Sequence, residues 1–245
     1  MEPTTIPNPN IPAPQQSDNT VGSVKLSTGG SMQQTTSLPR LNEAAPQFEA
    51  KTTQGMIKLS DYKGKWVVLF SHPADFTPVC TTELMAFARR KGEFDKLGVQ
   101  LLGLSIDSVY SHLAWIKNMQ EHFDVKIDYP LIADLDMKVA QQYGMIHPGA
   151  SDTATVRCVF VIDDKQNVRA MIYYPLTNGR SVDEVLRIVT ALQTNAKHAV
   201  ATPEGWKPGD KVIVPAPITQ ADLDKRLKEP FEITDWYFSK KELQV

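Results

Sequence analysis

Three short runs of almost uninterrupted apolar residues constrain this chain most: WVVLFS (66–71), VQLLGLS (99–105) and VRCVFVID (156–163). A strand with one wet face alternates polar and apolar residues. Runs without alternation belong to strands covered on both faces. VRAMIYY (168–174) follows the third run after DDKQN, which reads as a hairpin loop. Between the runs lie helical patterns. Leu84, Phe87, Phe94 and Leu97 form one stripe, and Leu113, Ile116, Gln120 and Phe123 form another within Val109–Phe123. A third helix opens at Ser181 with Glu184 three residues on, a capping box, followed by Val185, Val189 and Leu192. Strands alternating with helices and closing on a hairpin predict an α/β domain with a mixed central sheet.

That domain is expected over 39–200. Residues 1–38, rich in Pro, Thr, Ser, Asn, Gln and Gly, lack the bulky apolar side chains needed to offset the entropy of ordering. They read as a disordered N-terminal tail. A transit peptide is the competing reading, and the near absence of Arg before Arg40 argues against it. Residues 201–245 form a C-terminal extension. ATPEGWKPGDKVIVPAPI is punctuated by Pro and Gly, ADLDKRLKE is a short helix candidate, and FEITDWYF carries an aromatic density suited to a subunit interface.

Composition narrows the function classes. The chain has 245 residues, with 28 acidic against 26 basic ones and no long basic block, so nucleic acid and anionic membranes are poor partners. No apolar run approaches the roughly 18 residues of a spanning helix, and the N-terminus has no secretory pattern. With only two cysteines, Cys80 and Cys158, and no CxxC or Cys/His cluster, neither a disulfide scaffold nor a zinc site is expected. A reducing, cytoplasmic location fits this usage.

The chemistry concentrates in SHPADFTPVCTTE (71–83), between the first apolar run and a helix. Thr77 is placed as N-cap and Pro78 as first helical residue, where its missing N–H costs nothing. Cys80 then falls in the first turn, near free backbone N–H groups and the positive end of the helix dipole, a setting that favours thiolate over thiol. The turn also lies at the carboxyl edge of the sheet, where α/β folds build their sites. For an isolated cysteine, a small buried hydrophobe would be the plainer reading.

PADFTPVC, with Pro73, Thr77 and Cys80 in the spacing PxxxTxxC, resembles the peroxidatic motif of peroxiredoxins. The longer SHPADFTPVCTTE resembles the one-Cys (peroxiredoxin-6-like) subfamily of the AhpC/TSA family. VRCVFVID, the YYP…GR stretch from Tyr173 to Arg180, SVDEVLRIVTALQ and ATPEGWKPGD resemble it in the same order, so the resemblance covers roughly 40–240. It implies a thioredoxin-like fold with a C-terminal extension and a thiol peroxidase that uses no cofactor.

By this resemblance Cys80 is the nucleophile that attacks a hydroperoxide and becomes a sulfenic acid. Arg157 stabilises the charge, Thr77 bonds the peroxide, Pro73 shields the sulfur, and His72 and Arg180 line the pocket. An arginine inside an apolar strand needs an anionic partner, and an ion pair with Asp163 or Asp164 is the alternative reading of Arg157. Cys158 neighbours Arg157 on a strand and so points to the opposite face, which suits a core position better than a resolving role. The implied partners are a hydroperoxide substrate, an external thiol reductant (a thioredoxin-like protein, glutathione or another small thiol) and a homodimer that assembles further. Lys65 stands where animal one-Cys relatives place a lipase-type serine, so that second activity is not expected. The competing function classes are an oligomeric holdase chaperone or peroxide sensor on the same scaffold, and a thiol–disulfide oxidoreductase, which the lack of CxxC disfavours.

Overall fold

A computed structural model describes residues 38–243. The expected tail over 1–38 therefore lies, all but its last residue, outside the described residues. The chain runs β1 (Glu49–Thr52), β2 (Gly55–Lys58), a 3-10 turn (Leu59–Tyr62), β3 (Trp66–Ser71), α1 (Pro78–Lys96), β4 (Val99–Ser105) and α2 (Val109–Phe123). It continues with β5 (Leu131–Ala133), α3 (Lys138–Gln142), β6 (Arg157–Ile162), β7 (Val168–Tyr174) and α4 (Val182–His198). The C-terminal part holds β8 (Val212–Val214), α5 (Gln220–Arg226), β9 (Glu232–Asp235) and β10 (Phe238–Lys241).

The main sheet has seven strands in the order β2-β1-β5-β4-β3-β6-β7. β3, β4 and β5 are parallel neighbours, whereas β6 and β7 pair antiparallel, so the sheet is mixed as expected. The three apolar runs are its central strands β4, β3 and β6, buried almost throughout. Alternate residues separate onto two faces. Val68, Phe70, Val159 and Val161 pack with Leu84 and Phe87 of α1 and with Val185 and Val189 of α4. Val67, Leu69, Cys158 and Phe160 pack with Val139, Ala140 and Tyr143 at α3. At roughly 25 cal/mol per Å² of apolar surface removed from water, these two layers are the main stabilising term.

Helix α2 corrects one expectation. Its span matches, but its buried stripe is His112, Trp115 and Met119, while Leu113 and Phe123 are each 48% exposed. The helix is rotated about one residue from the expected face, so that Trp115 and Met119 enter the core beside His112. At α4 the Ser181 side chain accepts from the Glu184 N–H, as the capping box requires. The Glu184 carboxylate does not close the box: it pairs with Arg187, a competing cation one turn along.

β8, β10 and β9 form a separate three-stranded antiparallel sheet. Its turn residues Trp236 and Tyr237, with Phe238, are substantially exposed. No helix among the described residues is long and apolar enough to cross a membrane.

Candidate active site

The turn 72–77 leaves the carboxyl end of β3 and enters α1 at Pro78. Phe76 in this turn has φ 55°, the left-handed region that costs a non-glycine residue roughly 1 kcal/mol or more. Thr77 is the N-cap by backbone position, yet its side chain does not cap the helix. Instead its hydroxyl donates to the Ala74 carbonyl at 2.9 Å, because the turn folds that acceptor back over the helix start. The hydroxyl oxygen keeps acceptor capacity after this bond.

Cys80 is the third residue of α1, where backbone N–H groups have no intrahelical acceptor, and it is fully buried. Arg157, the first residue of β6, donates from Nη1 to Cys80 Sγ at 3.2 Å and to Glu83 Oε2 at 2.6 Å. Its Nε donates to the Leu176 carbonyl at 2.9 Å, which fixes the plane of the guanidinium. The alternative pairing with Asp163 does not occur; that carboxylate pairs with Arg169.

Arg180 does not reach the sulfur. Its Nε and Nη2 donate to the two Glu83 oxygens at 2.9 and 2.8 Å, and its backbone N–H donates to Oε1 at 2.7 Å. Nη1 donates to the carbonyls of Ser71 and Cys158, which joins α1, β3 and β6 at one point. The guanidinium also lies over Phe70, 5.4 Å from the ring centroid. Glu83 is the site residue that the sequence reading left without a role. Nothing local in the sequence marks it: it stands one turn after Cys80 on α1, and the two arginines that share its carboxylate are distant in the chain. Burial works against the Glu83 carboxylate, but the Arg180 and Arg157 guanidinium groups hold it below the usual range.

Pro73 is half-buried in the turn. His72 is fully buried and is committed to Asp75, with Nε2 at 2.9 Å from Oδ1; Nδ1 has no partner among the described residues. His72, Asp75 and His112 form the one grouping of metal-ligand type among the described residues, in which both Asp75 oxygens are taken up by the two rings. Cys158 lies on the other face of the sheet, as strand alternation requires, against Ser71 Oγ at 2.9 Å. Burial pushes its thiol up to about 11, so it stays un-ionised at neutral pH.

A cysteine at a helix N-terminus, bonded by a buried arginine and set on a thioredoxin-like sheet, defines a thiol-based oxidoreductase. Residues 41–171 match the model of the AhpC/TSA family, and residues 191–229 match that of the C-terminal domain of 1-Cys peroxiredoxin. The chain belongs to the AhpC/TSA family and, within it, to the one-Cys peroxiredoxins, which are peroxidase oxidoreductases. It is 57% identical over 218 residues to a peroxiredoxin of Aquifex aeolicus, an alignment covering 84% of this chain and 98% of the relative. A yeast mitochondrial 1-Cys peroxiredoxin, solved for its thiol resolving mechanism via glutathione/thioredoxin systems, is 41% identical with a TM-score of 0.75. That match covers 84% of this chain and 100% of the yeast protein. A cysteine variant of the peroxiredoxin 6 of Arenicola marina is 35% identical with a TM-score of 0.74, covering 84% and 98%.

Proposed function

We propose that this peroxidase works through one cysteine, Cys80, and an external thiol. The Cys80 thiolate attacks the terminal oxygen of a hydroperoxide; an S–O bond forms, the O–O bond breaks, and water or an alcohol leaves after taking up a proton. Arg157 stabilises the charge on sulfur and on the departing oxygen. Thr77 accepts from the peroxide O–H, Pro73 keeps water off the sulfur, and His72 and Arg180 hold the walls of the pocket. A first external thiol then displaces water from the sulfenic acid to give a mixed disulfide, and a second releases Cys80 as thiol. A thioredoxin-like protein or glutathione supplies those equivalents in a reducing compartment such as the cytoplasm. The working unit is a homodimer that assembles further, with the exposed aromatic turn of the C-terminal sheet at an interface.

The observation that carries this reading is the 3.2 Å contact from Arg157 Nη1 to Cys80 Sγ, with the second cysteine on the far side of the sheet. The test is hydroperoxide consumption with an excess of small thiol. Cys80→Ser is expected to abolish it and Cys158→Ser to retain it. Loss of multiple turnover in Cys158→Ser, with one fast turnover intact, would mean that Cys158 resolves the sulfenic acid and the one-cysteine cycle is wrong.

A further inference from the structure

A second buried polar group crosses the same turn. Asp75 lies between two imidazoles: His72 Nε2 is 2.9 Å from Oδ1, and His112 Nδ1 is 2.8 Å from Oδ2. All three side chains are buried. His112 belongs to α2, and its Nε2 lies 3.1 Å from the Ile132 carbonyl in β5. The Asp75 backbone N–H donates to Asp107 Oδ2 at 3.1 Å, and Ser105 at the end of β4 donates to that same oxygen at 2.6 Å. One residue of the turn is thereby tied to α2, to β5 through His112, and to the end of β4.

The proton count is specific. A carbonyl only accepts, so His112 donates to Ile132 through Nε2, and its Nδ1 lies 2.8 Å from Asp75 Oδ2, with a proton shared between the two. Burial opposes the Asp75 charge, but the hydrogen bonds from the two rings keep its carboxyl well below the usual range. His72 donates its one proton through Nε2, since burial disfavours its charged form. None of these bonds reaches Cys80 or Arg157. They hold a turn whose next residue, Phe76, sits in a strained left-handed conformation directly before Thr77 and α1. A conformation of that kind persists only where its surroundings enforce it.

We propose that Asp75 and His112 are positioning residues of the peroxidase site, acting together through the 72–77 turn to set where Thr77 and the first turn of α1 stand relative to Arg157. This rests on Cys80 being the peroxide-reacting residue.

The test compares two electrophiles in Asp75→Asn, His112→Gln and the double variant, each confirmed as folded by circular dichroism. Iodoacetamide needs only an accessible thiolate; hydrogen peroxide also needs the aligned donors around it. Rapid-quench mass spectrometry of Cys80 gives both rate constants. The expected result is a peroxide rate lower by about 10- to 100-fold with the alkylation rate within about threefold of wild type. The double variant should be no slower than the slower single variant, because both substitutions break one bridge. Should Asp75→Asn fail to fold, the ratio of the two rates in His112→Gln, whose side chain is outside the turn, decides alone. Both rates falling by the same factor, neither falling, or losses that multiply in the double variant would overturn the proposal. Persistence of peroxide consumption in Cys80→Ser would instead remove the nucleophile assignment beneath it.

Discussion

Two guanidinium groups, Arg157 and Arg180, share the single carboxylate of Glu83, and all three side chains are buried. The cluster carries one surplus positive charge, which the thiolate of the proposed reaction would neutralise. Glu83 thus serves the fold and the chemistry together. Glu83→Gln leaves two buried cations without their anion and is expected to cost about 3–5 kcal/mol, read from urea unfolding at neutral pH. The pH dependence has a definite sign. The Glu83 carboxyl is lower in the folded protein than its ordinary value of about 4.3, so its contribution is present above that pH. It is lost as pH falls through the folded value. Wild type should therefore lose stability on acidification below about pH 4 more steeply than Glu83→Gln. Equal acid slopes would show that Glu83 is not the group responsible. At this scale the sequence made Cys80, Thr77 and Arg157 legible because motif spacing and a misplaced charge both flag them. Glu83 and His112 escaped because a buried acid or histidine on a helix looks like any surface residue until its partners, distant in the chain, are known.

Secondary elements were legible where burial imposes a pattern on both faces. β3, β4 and β6 are covered on both sides, and this forbids polar residues along most of their length. The edge strand β2 (GMIK) and its inner neighbour β1 (EAKT) are four residues each; β2 is largely exposed and β1 buries only Ala50 and Thr52, so no continuous apolar run marks them. The C-terminal strands pair with one another over three residues or fewer in each ladder, and cross-strand contacts set them more than their own composition does. Helix α2 was found but placed on the wrong face. Two apolar rows run side by side along it, and His112 disguises the one that is buried. The rotation is testable by chemical denaturation. Trp115→Ala is expected to cost about 3–5 kcal/mol, whereas Leu113→Ala should stay within about 0.5 kcal/mol in the isolated chain. Comparable losses at both positions would mean that Leu113 is also covered, which points to an intersubunit contact.

At the scale of the whole molecule, the sheet separates the two thiols. Cys80 belongs to the layer under α1 and α4, and Cys158 to the layer at α3. Joining them would require the central strands to part, which favours the proposed cycle in which an external thiol reduces Cys80. The exposed Trp236, Tyr237 and Phe238 give the C-terminal sheet an apolar surface of the kind that interfaces use. Sedimentation of the full chain should accordingly give a mass at a multiple of the monomer; a strictly monomeric species would contradict that part of the account. The most direct test of the central claim is intact and peptide mass spectrometry after one equivalent of hydrogen peroxide, with and without added thiol. The account predicts one added oxygen atom on Cys80, none on Cys158, and return to the reduced mass when thiol is supplied. An oxidised Cys158, or a disulfide between Cys80 and Cys158 within one chain, would contradict it.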